Sequence, residues 1–136
     1  MLQPRKSKFR KAFRGKNRGK AMRGIELAFG EYGLRATTSG HIAAKQIEAA
    51  RKKITFVTKR LGKYWVKIFP HKPVTLKPVG VKMGSGKGAI DHYEAVVKQG
   101  MILFEIAGVT EEMAKSAFTK AGHKLSVKTV FVKKNA

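Results

Sequence analysis

At 136 residues the chain is long enough for one domain with a modest core. Thirty Lys and Arg stand against eight Asp and Glu, a formal net charge of +22, while 43% of residues are hydrophobic. Such a chain can fold, but its self-repulsion asks for a polyanionic partner: RNA, DNA or an anionic membrane. The absence of cysteine excludes disulfides, thiolate zinc sites and cysteine nucleophiles, and no run approaches the roughly 18 apolar residues of a membrane span.

Residues 1–24 hold ten Lys or Arg and no acid; the first carboxylate is Glu26. The cations Arg5, Lys6, Lys8, Arg10, Lys11, Arg14, Lys16, Arg18, Lys20 and Arg23 are interleaved with Phe9 and Phe13, and Gly15, Gly19 and Gly24 loosen the backbone. In water this block repels itself and extends. It reads as an arm that orders on phosphates, its phenylalanines stacking on bases or packing on the body. The segment lacks the apolar stretch of a secretory signal. Its acid-free composition imitates a mitochondrial transit peptide, but glycines 15–24 would interrupt an amphipathic helix.

Residues 25–37 predict a short hairpin: Ile25, Leu27 and Phe29 alternate, Gly30 to Gly33 can turn, and Leu34 resumes the apolar face. A helix is predicted over 41–61, where Ala43, Ile47, Ala50, Ile54, Val57 and Leu61 make one stripe. Thr38 or Ser39 would cap it and Gly62 would stop it. Its other faces carry Lys45, Arg51, Lys52, Lys53, Lys59 and Arg60 against a single acid, Glu48. Residues 64–69 alternate as a strand, and Pro70, Pro73 and Pro78 bracket an extended edge or crossover. After the glycine loop 80–92, strands 93–98 and 101–106 flank the turn signal Gln99-Gly100 as a hairpin. A second helix spans 110–123, with Thr110 as N-cap, Glu111 and Glu112 at its positive end, and Met113, Ala114, Ala117, Phe118 and Ala121 facing the core. A last strand covers about 126–132. This predicts a single two-layer α+β domain over 25–136, two helices packed on a mostly antiparallel sheet, preceded by the arm 1–24.

The segment Met83-Gly84-Ser85-Gly86-Lys87-Gly88 is not a nucleotide loop. A Walker loop requires Ser or Thr after Gly-Lys, and here Gly88 follows, with Val81 where the first glycine belongs. The dinucleotide pattern fails at Ala89. What remains is a loop of exposed amides with Lys82 and Lys87, able to approach a phosphate backbone closely. His41, His71, His92 and His123 have no ligand spacing, so no metal site is expected. Asp91, His92 and Glu94 are neighbours without a nucleophile, so turn and strand-edge roles are expected of them.

Four segments resemble a known family: the opening MLQPRKSKFRKAFRGKNRG, then KQIEAARKKIT, WVKIFPHKPVTLKP and VKMGSGKG, with ILFEIAGV and VKTVFV matching in style. Together they resemble the bacterial-type universal large-subunit ribosomal protein sixteen family, whose archaeal and eukaryotic relatives are called protein ten. The resemblance implies an α+β fold of hammerhead type. It implies a structural protein, not an enzyme, that binds large-subunit rRNA, helps shape the aminoacyl-tRNA site near the peptidyl-transferase region and contacts A-site tRNA beside neighbouring ribosomal proteins. The expected RNA contacts are Arg5, Lys6, Lys8, Arg10, Lys11, Arg14, Lys16 and Arg18 in the arm, Lys45, Arg51, Lys52, Lys59 and Arg60 on the first helix, and Lys82, Gly84, Gly86, Lys87 and Gly88 in the loop. No cofactor, small-molecule substrate or membrane is expected. The expected location is the cytoplasmic ribosome of bacterial type, an organellar ribosome being the alternative. Lys82 departs from the arginine of many bacterial members, and with it from the hydroxylation some undergo. The competing classes are a DNA-compacting protein, a phosphoryl-transfer enzyme using the glycine loop, and a basic helix lying on anionic lipid.

Overall fold

The computed structural model describes residues 2–6, 9–13, 15–77, 84 and 86–134. Among these the chain forms β1 (Tyr32–Ala36), β2 (Gly40–Ala43), α1 (Ala44–Val57), β3 (Lys63–Val66), β4 (Lys72–Leu76), β5 (Ala89–Val97), β6 (Ile102–Ala107), α2 (Glu111–Gly122) and β7 (Thr129–Lys133). The class is α+β. The strands divide between two antiparallel sheets, ordered β3-β6-β1-β7 and β2-β5-β4. Helix α1 packs on β2 and β5, α2 on β1 and β7, and the helices pack on each other, so one apolar cluster runs through both halves.

Helix α1 buries Ala44, Ile47, Ala50 and Ile54, the three- and four-residue spacing of one helical face. Ile47 and Ile54 are fully buried, each contributing about 1.5–3 kcal/mol by transfer from water. The helix starts later than its apolar spacing suggests, because residues 40–43 pair with β5, from Gly40 opposite Val97 to Ala43 opposite Glu94. Thr38 and Ser39 are therefore not caps. Thr38 Oγ1 accepts from the Lys128 amide at 3.1 Å and Ser39 Oγ from the Gln99 amide at 3.1 Å. The N-cap is Ala43, whose amide donates to Gln46 Oε1 at 3.0 Å, the reciprocal half of a capping box. At the far end Thr58 Oγ1 donates to the Ile54 carbonyl at 2.9 Å, and Lys59 and Arg60 turn left-handed, with φ of 54° and 63°. That turn takes Leu61 off the stripe and leaves it 57% exposed. Gly62 follows with φ of 71°, and a Cβ there would strike the Ala107 carbonyl. Helix α2 forms as its sequence dictates. Thr110 Oγ1 accepts from the Met113 amide at 3.3 Å, Glu111 and Glu112 occupy the first turn, and Ala114, Ala117, Phe118 and Ala121 are buried.

Two expected hairpins are absent among the described residues. The turn at Gly100 closes, Met101 donating to the Lys98 carbonyl at 3.1 Å, but the strands on either side belong to different sheets. Val97 pairs with Gly40 of β2, whereas Ile102 pairs with Arg35 of β1. The β1–β2 connection crosses between the sheets at the same place, held to the turn by Ala36 donating to Met101 and Gly100 to Ala36. Residues 25–31 likewise do not pair with β1, which is flanked by β6 and β7. They cross over β6 instead. The reason is Glu105, 0% exposed in an otherwise apolar strand. Its Oε1 accepts from the amides of Ala28, Phe29 and Gly30 at 3.0, 2.9 and 2.8 Å, and Lys67 Nζ lies 3.7 Å from its Oε2. Outside this anchor Phe29 stacks on Trp65, ring centroids 5.8 Å apart, with Lys67 Nζ 4.4 Å from the Phe29 centroid. Trp65 thus packs against the crossing segment.

Candidate nucleic-acid interface

The arm is fastened to the joint between the sheets. Asn17 Nδ2 donates to the carbonyls of Gly40 and Val97 at 3.2 and 2.9 Å, Lys20 bridges Gln99, and Ala21 donates to Gln99 at 2.9 Å. Near the start of the arm Leu2 packs on the core. Between these anchors Arg5, Lys6, Arg10, Lys11, Lys16 and Arg18 are exposed. Lys8, Arg14 and Lys82 lie outside the described residues, as does Pro78.

The end of the glycine loop meets the arm. Lys87 Nζ donates to the Ala12 carbonyl at 2.5 Å and lies 5.6 Å from the Phe13 ring centroid, while Lys11 Nζ donates to the Lys87 carbonyl at 3.3 Å. Two cationic runs about 75 positions apart in sequence thereby form one surface. It borders a groove of about 590 Å³ that also takes in Gly15, His41 and Lys72. Gly84 and Gly86 have open space where a Cβ would stand, as close approach of a phosphate backbone requires; Gly84's carbonyl accepts from Lys77 Nζ. Gly88 differs. A Cβ there would lie 3.0 Å from the Leu76 carbonyl, so its lack of a side chain serves the β4–β5 approach.

The cations of α1 divide between its ends, about 20 Å apart for 14 residues. Lys45, with Leu2 and Gln3, lines a groove of about 420 Å³ at the start of the arm. At the other end Lys52 and Arg60 line one of about 520 Å³, and Lys59 is exposed beside it. Arg51 is committed within the fold. It donates to Glu48 at 3.3 and 3.0 Å and to Tyr64 Oη at 3.4 Å. The bond to Glu48, then that to Tyr64, raises its pKa further, and the Arg51 bond holds the Glu48 carboxyl below its ordinary value.

The acids are largely engaged by partners within the body, although Glu94 also lines the groove beside Lys87 and Asp91 the one beside Lys45. Besides Glu48 and Glu105, Glu111 lies 3.4 Å from Lys133. Asp91 Oδ2 lies 2.7 Å from His92 Nδ1, and Glu94 lies 3.3 Å from His92 Nε2 and 3.5 Å from His41. The bond to Asp91, with a smaller part from Glu94, raises the His92 pKa. Among the described residues no group of three His, Asp or Glu is placed to hold a metal ion. Nor is any helix long and apolar enough to cross a membrane.

The family described as ribosomal protein L16p/L10e matches residues 4–132 of this chain. The chain belongs to the L16p/L10e family of ribosomal proteins. It is 58% identical over 136 residues to the large ribosomal subunit protein uL16 of Streptococcus uberis, covering 100% of this chain and 99% of that one. To the protein of the same name from a Sulfurihydrogenibium species it is 56% identical over 133 residues, 98% of this chain and 96% of that one. The Streptococcus thermophilus protein is 58% identical over 136 residues, again 100% and 99%.

As a member of the L16p/L10e family the chain stands among ribosomal proteins, not enzymes. Its geometry suits that class. The arm, the loop end and the exposed side of α1 offer fixed ammonium and guanidinium groups with few acids to neutralise them, the arrangement that binds phosphates by charge. Sequence reasoning did not single out Asn17, Lys72 or Phe56. Asn17 could have been found as the one amide in the run from Lys6 to Lys20, an uncharged side chain suited to docking. Phe56 could have been found as a large apolar residue that lies off the apolar stripe of its helix.

Proposed function

We propose that this chain is a structural constituent of the large ribosomal subunit. In this reading it binds large-subunit rRNA through the arm (1–24), the glycine loop and the exposed side of α1, while the body (25–136) holds these surfaces in register. Neighbouring ribosomal proteins are its further partners. It helps shape the aminoacyl-tRNA site near the peptidyl-transferase region and contacts A-site tRNA. Relatives named for the large subunit, all bacterial, support assembly into a ribosome of bacterial type in the cytoplasm. The observation that carries the reading is the meeting of Lys11, Ala12 and Phe13 with Lys87, which makes one cationic surface from two separate acid-free segments.

The proposed RNA contacts are Arg5, Lys6, Lys8, Arg10, Lys11, Arg14, Lys16, Arg18, Lys45, Lys52, Lys59, Arg60, Lys82 and Lys87, with Gly84 and Gly86 giving close backbone approach. Arg51 contributes through the edge its ion pair leaves exposed. To test this, large subunits are assembled with Lys87→Ala or Gly86→Phe, and incorporation and A-site tRNA occupancy are measured. Lys87→Ala should fold as wild type, since exposed substitutions usually stay within about 0.5 kcal/mol; Gly86 has φ of 99°, so Gly86→Phe also strains the loop, and thermal unfolding verifies that its body stays folded. Both should lower incorporation or occupancy. Wild-type values in both assays would refute the loop's part in the function.

A further inference from the structure

Phe56 is the most exposed large hydrophobic side chain in any helix or strand among the described residues, at 76%. It adds almost nothing to the core there, and phenylalanine is a poorer helix former than the lysines around it. Its surroundings are cationic. Lys52 and Lys53 stand one turn before it, at the i−4 and i−3 positions that neighbour it on the helix surface, and Lys59 and Arg60 follow in the left-handed turn just past the end of α1. Lys53 Nζ already lies 5.2 Å from the ring centroid. The one acid of the helix, Glu48, is engaged by Arg51 through two bonds.

We propose that Phe56 is a stacking platform for an unpaired RNA base whose flanking phosphates lie on Lys52, Lys53, Lys59 and Arg60. The inference rests on the RNA-binding reading above and names the chemistry of one part of it. An apolar pocket on a protein partner would accept the ring but would have to desolvate the surrounding ammonium groups without compensation. A nucleotide supplies both complements at once, a π face for the ring and an anion for the cations.

The test uses the full-length protein with two probes, a 12-nucleotide single-stranded oligoadenylate and a 12-base-pair RNA duplex, each titrated over a range of salt. Phe56→Ala, Phe56→Leu and Phe56→Trp are compared with wild type, and thermal unfolding verifies that each is folded. Stacking predicts that Ala and Leu each lose about fivefold or more on the single strand, by the same factor at every salt concentration. Trp retains or gains affinity, and duplex binding is unchanged. Lys52→Ala with Lys53→Ala should instead flatten the salt dependence on both probes. Wild-type single-strand affinity in Phe56→Ala or Phe56→Leu, or an equal loss on the duplex, would overturn the stacking proposal while leaving RNA binding intact. No salt-dependent binding of wild type to either probe would overturn both.

Discussion

Replacing Glu105 tests the anchor that carries the chain from the arm into the body. Its carboxylate is fully buried and accepts three successive amides between 2.8 and 3.0 Å. In Glu105→Ala the Gly30 amide, the buried one of the three, loses its acceptor, at a cost of about 1–3 kcal/mol. The amides of Ala28 and Phe29 are partly buried and regain water, so each loses only the net value of a hydrogen bond, about 1 kcal/mol. Against this, removing the carboxylate relieves the desolvation of Oε2, which has no hydrogen bond of its own. The expected net loss is about 3 kcal/mol. With a urea m-value of about 1.5 kcal/mol/M, the unfolding midpoint should fall by about 2 M. Glu105→Gln keeps one acceptor oxygen but loses the charge facing Lys67, and should cost roughly half as much. Hydrogen exchange should show the amides of 28–30 losing protection in the Ala variant. A midpoint within the equivalent of about 0.5 kcal/mol of wild type in Glu105→Ala would refute the reasoning. Equal losses in the two variants would show that charge, and not the three-amide geometry, fixes the segment.

A Cβ at Gly30 would lie 2.8 Å from both the amide nitrogen and the carbonyl oxygen of Ile106, so Gly30→Ala must displace β6. It should cost about 1–3 kcal/mol in denaturation, and a neutral result would contradict the close crossing. His92, with its pKa raised, lends stability that is full below the ordinary histidine value of about 6.5 and is lost as pH rises through the folded-state value. Its NMR titration midpoint should drop toward the ordinary value in Asp91→Asn, and stability that rises with pH through this window on account of His92 would contradict the assignment. Deleting residues 1–18 removes the Leu2 packing and the two Asn17 bonds, for about 2–4 kcal/mol. Unfolding should remain cooperative while rRNA affinity falls; unchanged affinity would count against the arm.

Helix α2 was legible because its determinants are local: a capping threonine, two acids in the first turn and an alanine-rich stripe all lie within 14 residues of chain, 110–123. Helix α1 was legible in its middle and misread at its start. Residues 40–43 are strand only because Val97 and its neighbours, more than 50 positions later, pair with them. The Gln99-Gly100 turn was seen, but not that its strands serve different sheets. The clue was present in β6, where both alternating sets of side chains are buried, so that it needed cover on two faces. Glu105 was invisible as an anchor because its three donors lie 75 to 77 residues upstream. The candidate interface was readable as charge, since acid-free runs stand out without any structure. The meeting of Lys87 with Ala12 and Phe13 and the commitment of Arg51 to Glu48 and Tyr64 are facts of three-dimensional placement.

The most direct measurement is the affinity of the purified full-length chain for large-subunit rRNA as a function of salt. If arm, loop and α1 together neutralise about six phosphates at single-strand-like sites, log K should fall against log salt with a slope of about −4. A nearly flat titration would contradict the phosphate-binding surface on which the proposed function depends.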